Sequence, residues 1–339
     1  MNVGILAFSE TGLALGERLM KYYSAKANNA SVTRCKDNGL ASWTELHFAS
    51  DDALVLIGAV GLAVRAIAPY LKSKTADPAV VVVDELGTYS ISLLSGHLGG
   101  ANKLAVEIAK VLGAIPVVTT ATDLHGVFSV DTWAKKQGLT IINPERIKWV
   151  SSRLLAGETI RLKSKFPVED ELPKGVELAE DSGDILVTYR TRGNAEALRL
   201  VPPVVTLGVG CKRDTNVETI ETAFSLMLAK ASCHPAAVKR VCSIDLKANE
   251  PGLLEFCLRH ALPYRTFSAE ELAAVPGKFR GSAFVKSVTG VDNVCERSAI
   301  LGSGVGGKLL AQKDAGYGVT MALAIEPYVL RLDEGGKAE

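Results

Sequence analysis

The sequence predicts an α/β protein built from several domains. An open, mainly parallel sheet forms the N-terminal domain. A small α+β middle domain and a mixed α/β C-terminal domain follow. Three observations carry this reading. Apolar runs of strand length alternate with runs of helical periodicity through the first 138 residues. The texture changes from Leu139, and charge, Pro and Gly accumulate over Lys163–Gly183. Val201-Pro202-Pro203 then forms a stiff extended link, because prolines fix φ and favour extended neighbours. The expected domains are 1–138, 139–201 and 202–330, with a flexible tail over 331–339. A chain of 339 residues is long enough for two or three such domains.

Each element has its own signal. Val3–Ala7 reads as a buried strand, FSETG as a loop, and Leu13–Lys21 as a helix. Ala53–Ile57 is a strand closing on Gly58, and Val60–Ala68 is a helix stopped by Pro69. Val80–Asp84 and Tyr89–Leu94 read as strands around a Leu-Gly turn. Ala101–Leu112 is a helix ended by Gly113, followed by strand Val117–Thr120 and helix Ser129–Gln137. The middle stretch holds strand Leu139–Ile142, helix Glu145–Leu155, and strands Ile185–Tyr189 and Ala197–Val201. The last stretch opens with strand Val204–Val209. Thr215 and Glu218 then fit a capping box for a helix reaching about Lys230. Strand Val241–Lys247, helix Gly252–Ala261, a short strand near Tyr264, a helix capped by Ser268 and helix Val291–Leu301 come next. Leu309–Gln312 and Gly318–Ile325 close the chain as a hairpin.

Composition excludes several function classes. The 38 Lys and Arg against 37 Asp and Glu leave a net charge of +1, which gives no footprint for nucleic acid or an anionic membrane. No segment reaches the ~18 consecutive apolar residues of a membrane span. The start lacks the basic region of a signal peptide, so a cytoplasmic protein is expected. The six cysteines show no CxxC spacing and read as buried reduced thiols. The five histidines form no HxxxH or HxH pair, so no protein-held metal is expected.

Three glycine-rich stretches sit where a strand is expected to hand over to a helix: Gly58–Gly61, Ser95–Asn102 and Gly208–Thr215. Such loops present backbone N–H groups that suit a carboxylate, phosphate or oxyanion, or they merely permit tight turns. Gly58, Gly61, Ser95, Gly96, Gly99, Gly100, Gly208 and Gly210 are the candidate contacts. None of the stretches is a nucleotide fingerprint: GAVGLA lacks the first G-x-G, and GVGCKRDT lacks the third glycine. His97, among three glycines, is a candidate proton carrier or a packed ring. Asn102 either bonds a ligand or caps its helix. Asp84 and Glu85 emerge at the end of a buried strand, as a general base or as a turn-forming pair. Thr119, Thr120 and Asp123 offer hydroxyls and a carboxylate at what should be the same rim. Arg65 and Arg213 are suited to fork onto a carboxylate. Cys211, with no paired histidine, reads as structural or as a ligand contact. Asp245 and Glu250 read as a solvated turn and helix start.

Taken in order, GAVGLAVRAIAP (58–69), DPAVVVVDELG (77–87), ISLLSGHLGGAN (91–102), PVVTTATD (116–123), LGVGCKRDT (207–215), SIDLKANEPGLL (243–254) and FSAEEL (267–272) resemble the cobalt-precorrin 5A hydrolase (CbiG) family. The resemblance spans nearly the whole chain and is weakest over about 140–200. It implies an enzyme of anaerobic cobalamin biosynthesis that opens the δ-lactone of a cobalt-bound corrinoid and releases acetaldehyde. It implies no separate cofactor, since cobalt arrives inside the substrate. Transient contact with other enzymes of the pathway is a further expectation. His97 with Glu85 or Asp84 is the expected proton relay, and a glycine-loop N–H pair the expected oxyanion site. A corrinoid carrier without catalysis is the alternative.

Overall fold

The computed structural model describes residues 1–35, 39–73, 76–97, 99–120 and 126–332. The chain divides into two compact units, Met1–Thr132 and Trp133–Glu339. The stretches expected as middle and C-terminal domains share the second unit, each with its own five-stranded sheet.

The first unit runs β1 (Asn2–Ala7), α1 (Glu10–Ala25), β2 (Asn29–Arg34), α2 (Gly39–Ser50), β3 (Ala53–Ile57), α3 (Val60–Ile67), β4 (Ala79–Val83), β5 (Tyr89–Leu94), α4 (Ala101–Leu112) and β6 (Ile115–Val117). Helix α5 (Val130–Lys136) carries the chain across the division between the units. The six strands lie in the order β2-β1-β3-β4-β5-β6. Strands β1 to β4 are mutually parallel. Their near-continuous apolar sequences follow from burial on both faces. Val3, Ile5, Val55, Ile57, Val81 and Val83 pack against α1 and α4 through Leu19, Tyr23, Leu104 and Ile108. Leu6, Leu54, Leu56, Val80 and Val82 pack against α2 and α3 through Trp43, Phe48, Ala63 and Ile67. Each fully buried side chain of this size contributes about 1.5–3 kcal/mol.

Strand β5 breaks the parallel pattern. It pairs antiparallel with β4, Val83 opposite Ser90 and Val80 opposite Leu94. Only Asp84–Thr88 separate the two strands, whereas a parallel crossover needs about a dozen residues. Gly87 adopts φ +71° within that turn, a conformation that favours glycine. Strand β6 then runs parallel to β5. Strand β2 and helix α2 carry no clear sequence signal: β2 has no fully buried residue, and α2 buries only Trp43, Thr44 and Phe48.

The second unit continues with β7 (Thr140–Ile141), α6 (Glu145–Leu155), β8 (Ile160–Ser164), β9 (Val168–Glu169), β10 (Val176–Leu178), β11 (Ile185–Val187) and β12 (Leu198–Val201). Its first sheet has the order β10-β8-β11-β12-β7. Then come β13 (Val205–Cys211), α7 (Val217–Ala231), β14 (Val238–Ile244), α8 (Pro251–Arg259), β15 (Tyr264–Phe267), α9 (Ala269–Ala273), α10 (Ala283–Thr289), α11 (Cys295–Gly302), β16 (Lys308–Gly316), β17 (Val319–Ile325) and β18 (Leu330–Arg331). The second sheet has the order β15-β14-β13-β17-β16. Val205, Leu207 and Val209 pack against α7 and α8 on one face. Helix α11 covers the other.

Three expectations are corrected here. Gly208 and Gly210 are not loop residues but lie inside β13, paired across to Ala322 and Thr320 of β17. A Cβ on Gly208 would stand 1.9 Å from the Cys295 carbonyl oxygen, so this glycine lets α11 rest on the strand backbone. The capping box at Thr215 and Glu218 does not form. Asn216 caps α7 by accepting from the Thr219 N–H at 2.9 Å, while the Thr215 hydroxyl donates to the Lys212 carbonyl. The segment expected to begin the tail is part of the fold. Leu330–Arg331 pair with Val168–Glu169, Leu332 is buried, and the Arg331 carbonyl accepts from Trp133 Nε1.

Candidate active site

The reversal at β5 sorts the candidate residues of the first unit onto two edges of one sheet. The carboxyl edge of β1, β3 and β4 carries Gly58, Gly61, Arg65, Asp84 and Glu85. The order β2-β1-β3 places a topological switch point between β1 and β3, where open α/β sheets bind ligands. Ser9 caps α1 here, accepting from the Gly12 N–H at 3.1 Å. The Gly58 N–H is committed to the Val83 carbonyl at 2.8 Å. Arg65 is exposed and reaches back to the Gly61 carbonyl of its own helix at 3.4 Å.

Asp84 is the anchor of the β4–β5 turn. One carboxylate oxygen accepts from the Tyr89 N–H and the other from the Leu86 N–H at 3.3 Å. Both oxygens therefore serve the hairpin. Glu85 is exposed at its tip.

The opposite edge, where β5 and β6 end, carries Ser95, Gly96, His97, Gly99, Gly100, Asn102, Thr119 and Thr120. With five residues in β4, the two edges stand roughly 16 Å apart. The expected pairing of His97 with Asp84 or Glu85 is thereby overturned: a hairpin, not a crossover, links the two stretches. Asp123 lies outside the described residues.

The turn at this edge is tightly bonded. Ser95 adopts φ +57°, and its hydroxyl donates to the Asp77 carbonyl at 3.1 Å. The Ala101 N–H returns to the Ser95 carbonyl and the Asn102 N–H to the Gly96 carbonyl. A Cβ on Gly99 would meet the Ser95 Cβ at 2.3 Å, so the chain folds back on itself here. Among the described residues, the N–H groups of Gly96 and Gly99 have no backbone acceptor. Asn102 does not cap α4, whose N-cap is Gly100. Its Oδ1 accepts from the Ser92 hydroxyl at 2.6 Å, and its Nδ2 donates to Thr120 Oγ1 at 2.8 Å. Asn102 thus ties the end of β5 to the segment after β6. His97 Nδ1 lies 3.3 Å from both Ser129 Oγ and Thr132 Oγ1. Sequence reading passed over Ser92, Ser129 and Thr132; the short polar cluster at 129–132 was its only signal.

In the second unit the candidates gather at the carboxyl edge of β13 and β14. Cys211 ends β13, and burial pushes its thiol up to about 11, partly offset by Lys247. It is a neutral thiol near pH 7, not a nucleophile. Arg213 is exposed in the following loop. Glu250, expected to be solvated, is 6% exposed. Its carboxylate accepts from the Asp214 N–H at 2.6 Å and pairs with Lys247 at 2.5 Å, so it clamps the loop that carries Lys212 and Arg213. A second buried carboxylate, Glu296, accepts from the backbone N–H groups of Arg280 and Lys313 at 2.9 and 2.7 Å. Among the described residues Lys212, Arg213, Arg280 and Lys313 enter no ion pair. Among the described residues, no group of three or more His, Cys, Asp and Glu is placed to hold a metal ion, and no helix is long and apolar enough to cross a membrane.

Comparison with known proteins fixes the family. A family model described as Cobalamin synthesis G N-terminal matches residues 42–123, and one described as Cobalamin synthesis G C-terminus matches residues 205–324. The cobalt-precorrin-5A hydrolase of Salmonella typhimurium is 33% identical, covering 96% of this chain and 97% of that protein. The chain belongs to the cobalt-precorrin-5A hydrolase (CbiG) family. A second CbiG relative, the cobalt-precorrin-5A hydrolase of Priestia megaterium, is 35% identical over 83% of this chain and 80% of its own length. Protein CobE of a Sinorhizobium species is 33% identical over 129 residues, 38% of this chain and 83% of that protein. The first CbiG match spans the candidate residues from Gly58 to Asp123; the second contains Cys211, Arg213, Glu250 and Glu296. The small sheet β10-β8-β11-β12-β7 lies between the two.

Proposed function

We propose that this chain is a cobalt-precorrin 5A hydrolase: it opens the δ-lactone of cobalt-precorrin 5A and releases acetaldehyde, giving cobalt-precorrin 5B. The observation that carries the reading is the 33% identity over 96% of the chain to a relative of that name. Water adds to the lactone carbonyl, and the tetrahedral oxyanion collapses to a carboxylate and a free hydroxyl. Loss of the hydroxyl proton then expels the meso carbon and its methyl as acetaldehyde, and the electron pair stays with the conjugated macrocycle. The cobalt comes with the substrate, so the reading needs no resident cofactor.

His97 is the proton acceptor and donor in this account, and the N–H groups of Gly96 and Gly99 are the donors available to an oxyanion. Lys212, Arg213, Arg280 and Lys313, which enter no ion pair among the described residues, suit the carboxylate side chains of a corrinoid, and the near-neutral net charge makes such binding local. None of the six cysteines is in a disulfide, which accords with a reducing cytoplasm. The test is acetaldehyde trapping from purified protein and cobalt-precorrin 5A. Stoichiometric acetaldehyde is expected, with a product lighter than the substrate by the mass of acetaldehyde less that of the added water. Tight binding of the corrinoid with no acetaldehyde would replace the reading with that of a carrier.

A further inference from the structure

His97 stands far from Asp84 and Glu85, and a different set of side chains meets it. Ser129 Oγ and Thr132 Oγ1 each lie 3.3 Å from its Nδ1. Ser129 Oγ is also 2.7 Å from Asp131 Oδ1 and 3.0 Å from Thr132 Oγ1. The same Asp131 oxygen accepts from the Thr132 N–H at 2.9 Å. These residues begin α5, where buried Val130 and Trp133 fix the backbone, and they lie outside both family matches.

We propose that Ser129, Asp131 and Thr132 are positioning residues for His97. They hold its Nδ1–H in a hydroxyl–carboxylate chain, fixing the ring and its tautomer for proton exchange at Nε2. The proposal rests on the reading of His97 as the proton carrier in lactone opening.

One arrangement of the protons serves all of these contacts at once. Ser129 has a single hydroxyl proton, and an ionised carboxylate is the strongest acceptor within reach. That proton therefore goes to Asp131. The contact between Ser129 and Thr132 is then made by the Thr132 proton. Both hydroxyl oxygens are left to accept from His97 Nδ1–H, and their equal distances fit one N–H shared between two acceptors. When Nε2 takes a proton from the attacking water, the positive ring keeps its Nδ1–H on this chain, with the Asp131 charge behind it. No atom of the chain need move during the transfer.

The test combines tautomer and rate. In protein labelled with 15N-histidine, long-range 15N–1H spectra report which ring nitrogen carries the proton, and His97→Gln identifies the His97 signals. The wild type should show Nδ1–H. Ser129→Ala should move His97 toward a tautomer mixture and lower kcat for acetaldehyde release roughly tenfold or more, with KM little changed. Ser129→Thr, which keeps a hydroxyl, should restore both. Thr132→Val, nearly isosteric, gives the same comparison should Ser129→Ala fold poorly. Unchanged His97 signals and kcat in both Ser129→Ala and Thr132→Val, with His97→Gln inactive, would overturn the proposal alone. Full activity of His97→Gln would instead overturn the underlying reading and the catalytic half of this one. The spectra would then decide by themselves whether the chain holds the ring.

Discussion

The two edges of the first sheet have similar sequence features and different physical roles. Both are rich in glycine and carry acidic or hydroxyl residues just after a buried strand. At the β3–β4 edge the polar atoms are consumed by backbone: Asp84 binds two N–H groups of its own turn, and the Gly58 N–H is bound by Val83. At the β5–β6 edge the polar side chains bond to one another: Ser92, Asn102 and Thr120 in one chain, His97, Ser129, Thr132 and Asp131 in another. The first pattern stabilises a hairpin. The second holds groups capable of moving a proton. Motif content alone does not separate the two; what the backbone takes up does.

Substitutions at each edge can break this contrast. The largest effect is expected at His97. His97→Ala should lower acetaldehyde release by about 100-fold or more, while Glu85→Gln at the other edge stays within about twofold of wild type. Loss of activity in Glu85→Gln with intact folding would erase the distinction. Next comes Asn102→Ala, which severs the tie between Ser92 and Thr120. We expect kcat to fall about tenfold, with a loss of about 1 kcal/mol in urea unfolding. Asp84→Ala should show the reverse balance. It removes two turn acceptors and should cost about 1–2 kcal/mol in urea unfolding, with kcat for acetaldehyde release unchanged. The smallest effect belongs to the second unit. A thiol pushed up to about 11 is only about one-thousandth thiolate at pH 8. Cys211→Ser should leave kcat within about twofold of wild type. Alkylation of Cys211 should be slow near neutral pH and keep accelerating until it levels off near that raised pKa, which timed iodoacetamide labelling would check.

Much of the fold was legible because its signals are local. Helix α4 falls on its expected residues because Gly100 and Gly113, both with positive φ, bound it. Strands β3 and β4 are continuous apolar runs that burial on both faces requires. What the sequence left open depends on partners distant in the chain. The direction of β5 decides which edge His97 occupies, and the short DELGT turn held that information. In a mainly parallel sheet Thr119 and Thr120 are expected at the same rim as Asp84 and Glu85. Glu250 looks solvated in sequence because one partner, the Asp214 N–H, lies 36 positions away and meets it only in the folded sheet. Gly208 looks like a binding glycine because its true neighbour, the Cys295 carbonyl, is 87 positions away. Ser129 and Asp131 carry no motif and gain meaning only from the ring they meet.

Hydrogen exchange on the protein with bound cobalt-precorrin 5B asks directly which edge takes the corrinoid. The account predicts slowed exchange at the Gly96, Gly99 and Asn102 amides, with the Leu86–Gly87 turn unaffected. Protection confined to Ala59–Leu62 and Leu86–Gly87, with the His97 turn exchanging as in the free protein, would contradict it.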